Sequence, residues 1–282
     1  MDDAWQAVPG YHFSGRVTKI RPSPQENSSR LATLFRNTRM LFTHGRRGLV
    51  TWRVVDNEWT VRADNHGYWA LAGNHPLNLP PGWHEIDSIP APSSPAGMLV
   101  IDPRNPIGLI SDIDDTILIT QVLSKRALLK NSLTVPPEKR AAVPGSAELY
   151  RKLLQQNPVA DASPVFYLSS SPRQLTDNLR RFLAAGGFPR GILQLKEVSR
   201  ERGDSPADPN AYKLRHLERI FAAFPQVRFH LFGDDAESDP EIYATIREKL
   251  PGQVAGTWIR HLNPDKKRAI FPGQRDVREL KL

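Results

Sequence analysis

An acidic cluster follows directly on an apolar run near the middle of the chain. Ile107–Ile110 leads into Asp112, Asp114 and Asp115, with the hydroxyl of Thr116 beside them. Carboxylates at the end of a buried strand are costly unless a cation or a hydrogen-bond network holds them. Because open parallel sheets place ligands at this end of their strands, the cluster predicts a metal site. The alternative is a solvated turn that caps the next segment.

A second acidic cluster follows another apolar run. Phe229–Phe232 leads into Asp234 and Asp235, and Asp239 comes five positions after Asp234. If the two strands share one parallel sheet, their carboxyl ends meet at one edge, and Asp112 and Asp234 can bind one hard cation. Carboxylate oxygens, a backbone carbonyl and waters are the ligands that Mg²⁺ prefers. The two clusters together predict a magnesium site.

Two further segments could hold an anion beside that cation. Val165–Leu168 leads into Ser169 and Ser170 just before a helical pattern, where hydroxyl and backbone N–H groups bind anions well. A serine at this place is more commonly a helix N-cap. Lys213 opens another helical pattern and would add positive charge, although a helix lysine on its own is usually a surface residue.

The elements that must position these residues alternate between short apolar runs and helical periods. This alternation predicts an α/β fold with a doubly wound, mainly parallel Rossmann-like sheet. Strands are predicted at 107–110, 165–168, 192–195, 229–232 and 254–259, and helices at 147–156, 174–185, 212–224 and 240–250.

The first ninety residues have a different pattern. β-forming residues alternate with turn residues, as in 51–55 and 59–63, and no long helical period occurs, which predicts a small all-β, sandwich-like domain. A proline- and serine-rich stretch then suits a linker. The predicted organisation is a β-rich domain at 1–88, a linker at 89–97 and the α/β domain with a basic tail at 98–282.

The composition narrows the chemistry. The chain of 282 residues has no cysteine, which excludes disulfides, thiolate zinc sites and cysteine nucleophiles. Its net charge is +8, and seven Lys/Arg stand against three Asp/Glu from Arg260 onward, which favours an anionic partner such as phosphate, a lipid surface or nucleic acid. No apolar run approaches the ~18 residues of a membrane span. Asp2 and Asp3 stand where a signal peptide would carry Lys or Arg, so we expect a cytoplasmic protein.

Four motifs in order resemble those of haloacid-dehalogenase-superfamily phosphatases. They are Asp112-x-Asp114-x-Thr116, Ser169, Lys213, and Gly233-Asp234 with Asp239. More narrowly, residues 98–262 resemble the actin-patch-type phosphatidate phosphatase family and its bacterial relatives. The stretches that carry this resemblance are 111–117, 143–150, 167–172 and 233–243, and Asp64–Tyr68 and Gly82–His84 resemble the β domain of the bacterial members. Asp235-Ala236 departs from the small pair expected there, which leaves open whether Asp235 faces the metal.

The resemblance implies a role for each of these residues. Asp112 would be the nucleophile that forms an aspartyl-phosphate, and Asp114 would protonate the leaving alcohol and then activate water. Mg²⁺ would be held by Asp112, the carbonyl of Asp114, and Asp234. Ser169, the backbone around Ser170, and Lys213 would bind phosphoryl oxygens, while Thr116, Asp235 and Asp239 would support the site, with Asp239 steadying the lysine or a metal-bound water.

The segment 121–142 mixes apolar and basic residues where this superfamily inserts a small cap. A short flap of this kind suits a bulky substrate presented at a membrane surface. The resemblance therefore implies a Mg²⁺-dependent phosphatidate phosphatase that releases diacylglycerol and phosphate and binds the membrane peripherally. The alternatives are a phosphatase of nucleic-acid ends or small phosphometabolites, a phosphotransferase, and a non-catalytic module that binds anionic lipid.

Overall fold

Two β-sheets organise the chain in the computed structural model, which describes residues 3–7, 10–17, 45–91, 95–120, 135–196, 209–262 and 268–280. Among the described strand pairs of the first sheet only β1–β7 is parallel, and the strand order is β4-β3-β6-β7-β1-β2-β5. Its strands are β1 (Ala4–Gln6), β2 (Tyr11–Arg16), β3 (Gly48–Val54), β4 (Asn57–Ala63), β5 (Tyr68–Gly73), β6 (Gly82–Ile89) and β7 (Ala96–Val100).

Aromatic rings fill the interior of the first sheet. Phe13 of β2 stacks on Trp52 of β3 with 3.7 Å between ring centroids, and Trp52 stacks on Trp59 of β4 at 4.2 Å. Since β2 and β3 are far apart in the strand order, their contact shows that the sheet curls back on itself. The predicted strands within 51–55 and 59–63 are confirmed. The parallel pair β1–β7 carries no local signal, because its two strands are short and distant in the chain.

The first sheet extends beyond the predicted domain boundary. Strand β7 pairs with β6 and β1, and all five of its residues are buried. The range predicted for the second domain therefore begins with Met98–Val100, which belong to the first sheet. The sequence of a short apolar strand does not indicate to which sheet the strand belongs. That depends on the strands with which it pairs. Within the predicted linker, residues 92–94 lie outside the described part of the chain.

The second sheet is parallel throughout its described pairs and has the order β10-β9-β8-β11-β12-β13. All five predicted apolar strands and all four predicted helices are confirmed, which makes this part mixed α/β. The short polar strand β13 was not predicted and lies in the basic tail. The elements are β8 (Ile107–Ser111), β9 (Val165–Pro172), β10 (Ile192–Lys196), β11 (Arg228–Asp234), β12 (Val254–Arg260), β13 (Gln274–Asp276), α1 (Ser146–Leu154), α2 (Thr176–Ala185), α3 (Pro209–Ala223) and α4 (Asp239–Lys249).

The direction of strand addition reverses between β8 and β11. From β8 the chain adds β9 and β10 on one side, and then β11 and β12 on the other. Open α/β sheets bind ligands outside the carboxyl ends of the strands at such a switch point. The residues that follow β8 and β11 are therefore the candidates for a ligand-binding site.

Helices cover both faces of the second sheet. Buried residues of α1 and α2 pack on one face, and buried residues of α3 and α4 pack on the other. Leu99 and Ile101, at the end of the first sheet, join the same core as Phe221 of α3 and Phe224, which follows that helix. The two sheets therefore share a continuous apolar contact. No helix within the described ranges is long and apolar enough to cross a membrane.

Candidate active site at the carboxyl edge of the second sheet

The two acidic clusters meet at the switch point, as their positions in the sequence predict. The backbone N–H of Asp112 donates to the carbonyl of Phe232 at 2.9 Å, which ties the end of β8 to β11. Asp234 ends β11, and Asp239 begins α4. All three aspartates are buried.

One lysine and one threonine link these carboxylates. Lys213 Nζ of α3 donates to Asp112 Oδ1 at 2.8 Å and to Asp239 Oδ1 at 2.6 Å. Thr116 Oγ1 lies 3.1 Å from Asp234 Oδ2 and 3.3 Å from Asp112 Oδ2, and its single proton can serve one of them at a time. The site thus contains three buried carboxylates and one buried ammonium, which favours a further cation.

The pKa values of the group follow from burial and from this crowding. Burial raises the pKa of Asp112 well above its usual value, and the positive charge of Lys213 opposes that rise. Burial and the neighbouring Asp239 raise the pKa of Asp234 to about 7. Burial alone would lower the pKa of Lys213, but Asp112 and Asp239 together raise it well above its usual value. The lysine therefore stays charged, while the carboxylates need additional positive charge to stay ionised together.

The donor atoms suit a small hard cation. One carboxylate oxygen each from Asp112, Asp234 and Asp239 lie within 4.8 Å of one another. Opposite oxygens in an octahedral magnesium site are about 4.2 Å apart, so small side-chain adjustments would close the set around one ion. The predicted ligands Asp112 and Asp234 are brought together, and Asp239 joins them as a third carboxylate.

Asp114 belongs to a second, adjoining group. Its Oδ2 accepts hydrogen bonds from Ser169 Oγ at 3.1 Å and from Ser171 Oγ at 3.0 Å. Burial raises the pKa of Asp114, and these two hydroxyls oppose the rise. Ser170 lies half-buried between the two serines. Ser171 lies two residues after Ser169 and therefore on the same face of β9, and its role was not predicted from the sequence.

Two of the acidic residues point away from this centre. Asp115 has a φ of 57°, in the left-handed region, and its carboxylate accepts the hydroxyl of Thr120 at 2.6 Å. Asp235 Oδ1 accepts the backbone N–H of Leu262 at 2.9 Å, and its Oδ2 lies 3.2 Å from His261 Nδ1. Both carboxylates therefore hold neighbouring loops in place. The geometry directs Asp235 toward the end of β12 instead of toward the three central aspartates.

Two tyrosines fix the backbone of the acidic clusters. Ser111 Oγ donates to the carbonyl of Asp112 at 2.6 Å and lies 2.8 Å from the hydroxyl of Tyr150. The Tyr243 hydroxyl donates to the carbonyl of Phe232 at 2.9 Å. Neither tyrosine was assigned a role from the sequence, because their hydrogen-bond partners lie on other elements.

The described part of the basic tail folds back on the chain. Arg268 donates to the carbonyls of Asp235 and Glu237 and forms an ion pair with Glu241 at 2.6 Å. Arg278 pairs with Asp276 at 2.5 Å. These arginines therefore support the loop after β11 and the tail itself, which weakens the tail as an argument for an anionic partner. Lys266 and Lys267, and residues 121–134 of the predicted flap, lie outside the described residues.

The fold and the site together define a mixed α/β protein with a buried cluster of carboxylates and one lysine at the switch point of a parallel sheet. Residues 107–261 match the family model described as "Phosphatidate phosphatase APP1, catalytic domain". Because this match covers more than half of the chain, the chain belongs to that family.

Curated relatives agree with this assignment. Phosphatidate phosphatase APP1 of Saccharomyces cerevisiae is 34% identical over 155 residues, which are 55% of this chain and 26% of the yeast protein. An uncharacterised protein of Schizosaccharomyces pombe is 26% identical over 163 residues, which are 57% of this chain and 26% of that protein. The chain thus spans about a quarter of the length of these relatives.

Among solved structures, a chain of the Pnkp1/Rnl/Hen1 complex is similar at 17% identity and a TM-score of 0.38. The alignment covers 58% of this chain and 48% of that chain. A TM-score of this size does not establish a common fold.

Proposed function

We propose that this chain is a Mg²⁺-dependent phosphomonoesterase of the haloacid-dehalogenase type, with phosphatidate as its substrate. The observation that carries the proposal is the meeting of Asp112, Asp234, Asp239 and Lys213 at one sheet edge in a member of this family. Phosphate ester hydrolysis is very slow without a catalyst, and it needs a nucleophile, a proton donor and positive charge. The site contains a candidate for each.

In the proposed first step, a carboxylate oxygen of Asp112 attacks phosphorus, and the bond to the leaving oxygen breaks. Asp114 gives its proton to that oxygen, so the products are the free alcohol and an aspartyl-phosphate. The raised pKa of Asp114 favours the protonated form needed for this step. In the second step Asp114 takes a proton from water as the water attacks phosphorus, which releases phosphate and restores Asp112.

Lys213 and the serines of β9 would bind the phosphoryl oxygens. Lys213 already contacts Asp112 and is held by Asp239, so its ammonium lies where the charge of the phosphoryl group would develop. The hydroxyl of Ser169 would turn from Asp114 toward a phosphoryl oxygen when substrate binds, while Ser171 keeps its contact with Asp114. The backbone around Ser170 would offer a further N–H group.

Asp112, Asp234 and Asp239 would hold Mg²⁺ through carboxylate oxygens, together with the carbonyl of Asp114. When bound, the ion neutralises phosphate charge and orients the substrate. The hydroxyl of Thr116 would hold the carboxylates of Asp112 and Asp234 in position.

The choice of phosphatidate depends on the family and on the name of the yeast relative. Phosphatidate lies in a membrane, and we therefore place the protein on the cytoplasmic side as a peripheral enzyme. The segment 121–142 would meet the lipid surface with its mixture of apolar and basic residues.

The test is a substrate panel measured with and without Mg²⁺ on the wild type and on Asp112→Asn. The panel contains phosphatidate vesicles, phosphorylated nucleic-acid ends and a small aryl phosphate. We expect Mg²⁺-dependent phosphate release that is fastest from phosphatidate and lost in the variant.

Other outcomes would redirect the proposal. Faster release from nucleic-acid ends or from the aryl phosphate would show that phosphatidate is not the preferred substrate. Transfer of phosphate to an added alcohol would indicate a phosphotransferase. Vesicle binding without hydrolysis under any metal would indicate a lipid-binding module.

A further inference from the structure

Positive side chains collect where the first sheet meets the second, beside the candidate active site. We call Arg16, Arg173, Arg215 and Arg219 the arginine cluster. Arg16 comes from β2, Arg173 follows β9, and the other two lie on α3. The cluster therefore draws on both sheets, and the proposed mechanism uses none of its members.

Arg173 is close to the site along the chain. It comes two residues after Ser171, whose hydroxyl contacts Asp114, so its Cα lies within about 7 Å of that serine. The first sheet holds its guanidinium in place: Nη2 donates to Ser14 Oγ at 2.7 Å, and the group lies 5.7 Å from the ring centroid of Tyr68. The first sheet thus fixes the cation of Arg173, which follows Ser169 and Ser171 in the chain.

The turn Asp64–Tyr68 explains how the ring of Tyr68 reaches this place. Asp64 Oδ1 accepts the backbone N–H groups of His66 at 2.8 Å and of Tyr68 at 2.9 Å. Gly67 has a φ of 82°, which most other residues would adopt only with strain. Arg16 donates to the carbonyl of His66 at 3.2 Å, and its guanidinium lies 4.9 Å from the Tyr68 ring. The turn therefore places one aromatic ring beside two arginines.

The α3 side of the cluster surrounds a neutral imidazole. His216 lies one helical turn after Lys213, about 4.5 Å further along the axis. Burial and the positive charges of Arg219, Arg215 and Arg173 lower its pKa to about 3. Arg173, Arg215 and Arg219 therefore lie close enough to His216 to act on it electrostatically.

We propose that the arginine cluster is a second anion-binding subsite, which holds a phosphate ester group beside the one being hydrolysed. Several guanidinium groups in one region create a positive potential that attracts anions. Guanidinium groups also match phosphate oxygens in geometry. The proposal rests on the proposed function, because it places the second phosphate on a neighbouring lipid headgroup or on the substrate molecule itself.

Arg190 provides a matched control. Its guanidinium lies 4.0 Å from the ring centroid of Trp83 and 3.7 Å from Asp3, so it also joins the two sheets through an aromatic contact. It precedes β10, however, and lies at the opposite edge of the parallel sheet from the candidate site. Arg190→Met therefore removes the same charge and the same kind of contact at a distance.

The first experiment measures binding without turnover. Asp112→Asn, combined with either Arg173→Met or Arg190→Met, is sedimented with phosphatidylcholine vesicles that contain phosphatidylglycerol, an anionic lipid without a monoester phosphate. We expect binding about fivefold weaker with Arg173→Met, as for one arginine lost near an anionic surface, and less than twofold weaker with Arg190→Met. Equal losses in the two variants, or no loss in either, would overturn the subsite.

The second experiment measures hydrolysis and separates the two sources of the second phosphate. In the full-length single variants, we expect Arg173→Met to raise the KM for phosphatidate vesicles more than it lowers kcat. If a neighbouring headgroup fills the subsite, added phosphatidylglycerol lowers the KM of the wild type, and Arg173→Met removes this gain. If a second phosphate of the substrate fills it, a soluble bisphosphate competes with the wild type more strongly than with the variant.

An equal fall of kcat with vesicles and with an aryl phosphate would indicate that Arg173 only supports the loop after β9, and would contradict the subsite. Failure of the proposed function looks different: the wild type would release no phosphate from phosphatidate, while the binding experiment would still show the difference between Arg173→Met and Arg190→Met.

Discussion

The two edges of the second sheet both bury polar side chains, but they do so in different ways. At the amino edge, Asn157 Oδ1 accepts the N–H of Ile107 at 3.0 Å, and its Nδ2 donates to the carbonyl of Ile107 at 2.8 Å and to Ser163 Oγ at 2.8 Å. Asn105 makes the same paired contact with the backbone of Val159. These amides are neutral, and their hydrogen bonds are made within the chain.

At the carboxyl edge the buried groups carry charge that the described side chains only partly balance. Asp112, Asp234 and Asp239 share Lys213, and burial raises the pKa of the first two. Neutral, fully bonded amides hold a loop to a strand and need no ligand. Crowded carboxylates are stable in their ionised form only when a cation joins them. The difference between the two edges is therefore the difference between structural and functional polar groups.

The largest expected effect is on catalysis. Asp112→Asn keeps the shape of the side chain but removes the nucleophile, so we expect phosphate release to fall at least about 10³-fold. Phosphate release from phosphatidate vesicles at saturating Mg²⁺ measures this, with the thermal midpoint as a check on folding. Activity within tenfold of the wild type would contradict the assignment of the nucleophile.

The next effect concerns the cation. Asp234→Asn should weaken Mg²⁺ activation about 10- to 100-fold, because it removes a charged ligand, whereas Asp235→Asn keeps its contact with Leu262 and should change activation by less than fivefold. Titration of activity with Mg²⁺ gives both values. Equal effects of the two neighbouring substitutions would show that the central carboxylates are not the metal ligands.

A smaller effect at the amino edge concerns stability. Asn157→Ala leaves the N–H and carbonyl of Ile107 without their side-chain partners, so the free energy of unfolding should fall by about 2–4 kcal/mol. Urea denaturation measures the loss, and kcat of the folded protein should stay within about twofold. A large fall in kcat at unchanged stability would contradict a purely structural role for Asn157.

The smallest expected effect is a change of the protein's stability with pH that is caused by one histidine of the second sheet. Burial and Arg228 lower the pKa of His230 to about 4, and Nδ1 of its ring accepts a hydrogen bond from Trp258 at 3.0 Å. Because the unfolded chain binds a proton near pH 6.5, stability is full above that pH and falls as the pH decreases toward 4. Between pH 7 and 5.5 the loss through this residue should be about 1 kcal/mol. His230→Gln should remove that part of the pH dependence in urea denaturation, and an unchanged pH profile would contradict it.

The sequence predicts the strands of the second sheet well, because strands buried on both faces form continuous apolar runs such as Phe229–Phe232. It does not predict β13, whose three polar residues pair only at the sheet edge, or the place of β7 in the first sheet. Strand partners depend on tertiary packing, which no local pattern records.

The sequence predicts those residues of the candidate site that directly follow the ends of parallel strands. Asp112 and Asp234 meet because both follow parallel strands, and Lys213 reaches them from α3. Ser171 and Tyr150 received no role, since their hydrogen-bond partners lie on other elements. The position of Arg173 was also hidden, because it depends on Ser14 and Tyr68 of the first sheet.

The most direct test of the central claim is to trap the covalent intermediate. Wild-type protein is mixed with phosphatidate labelled in its phosphate group and with Mg²⁺, quenched in acid within one turnover, and digested to locate the label. We predict a label on the peptide that contains Asp112, released by hydroxylamine as expected for an acyl phosphate, and no label in Asp112→Asn. Rapid phosphate release by the wild type with no label on the protein, or with a label on another residue, would contradict the account.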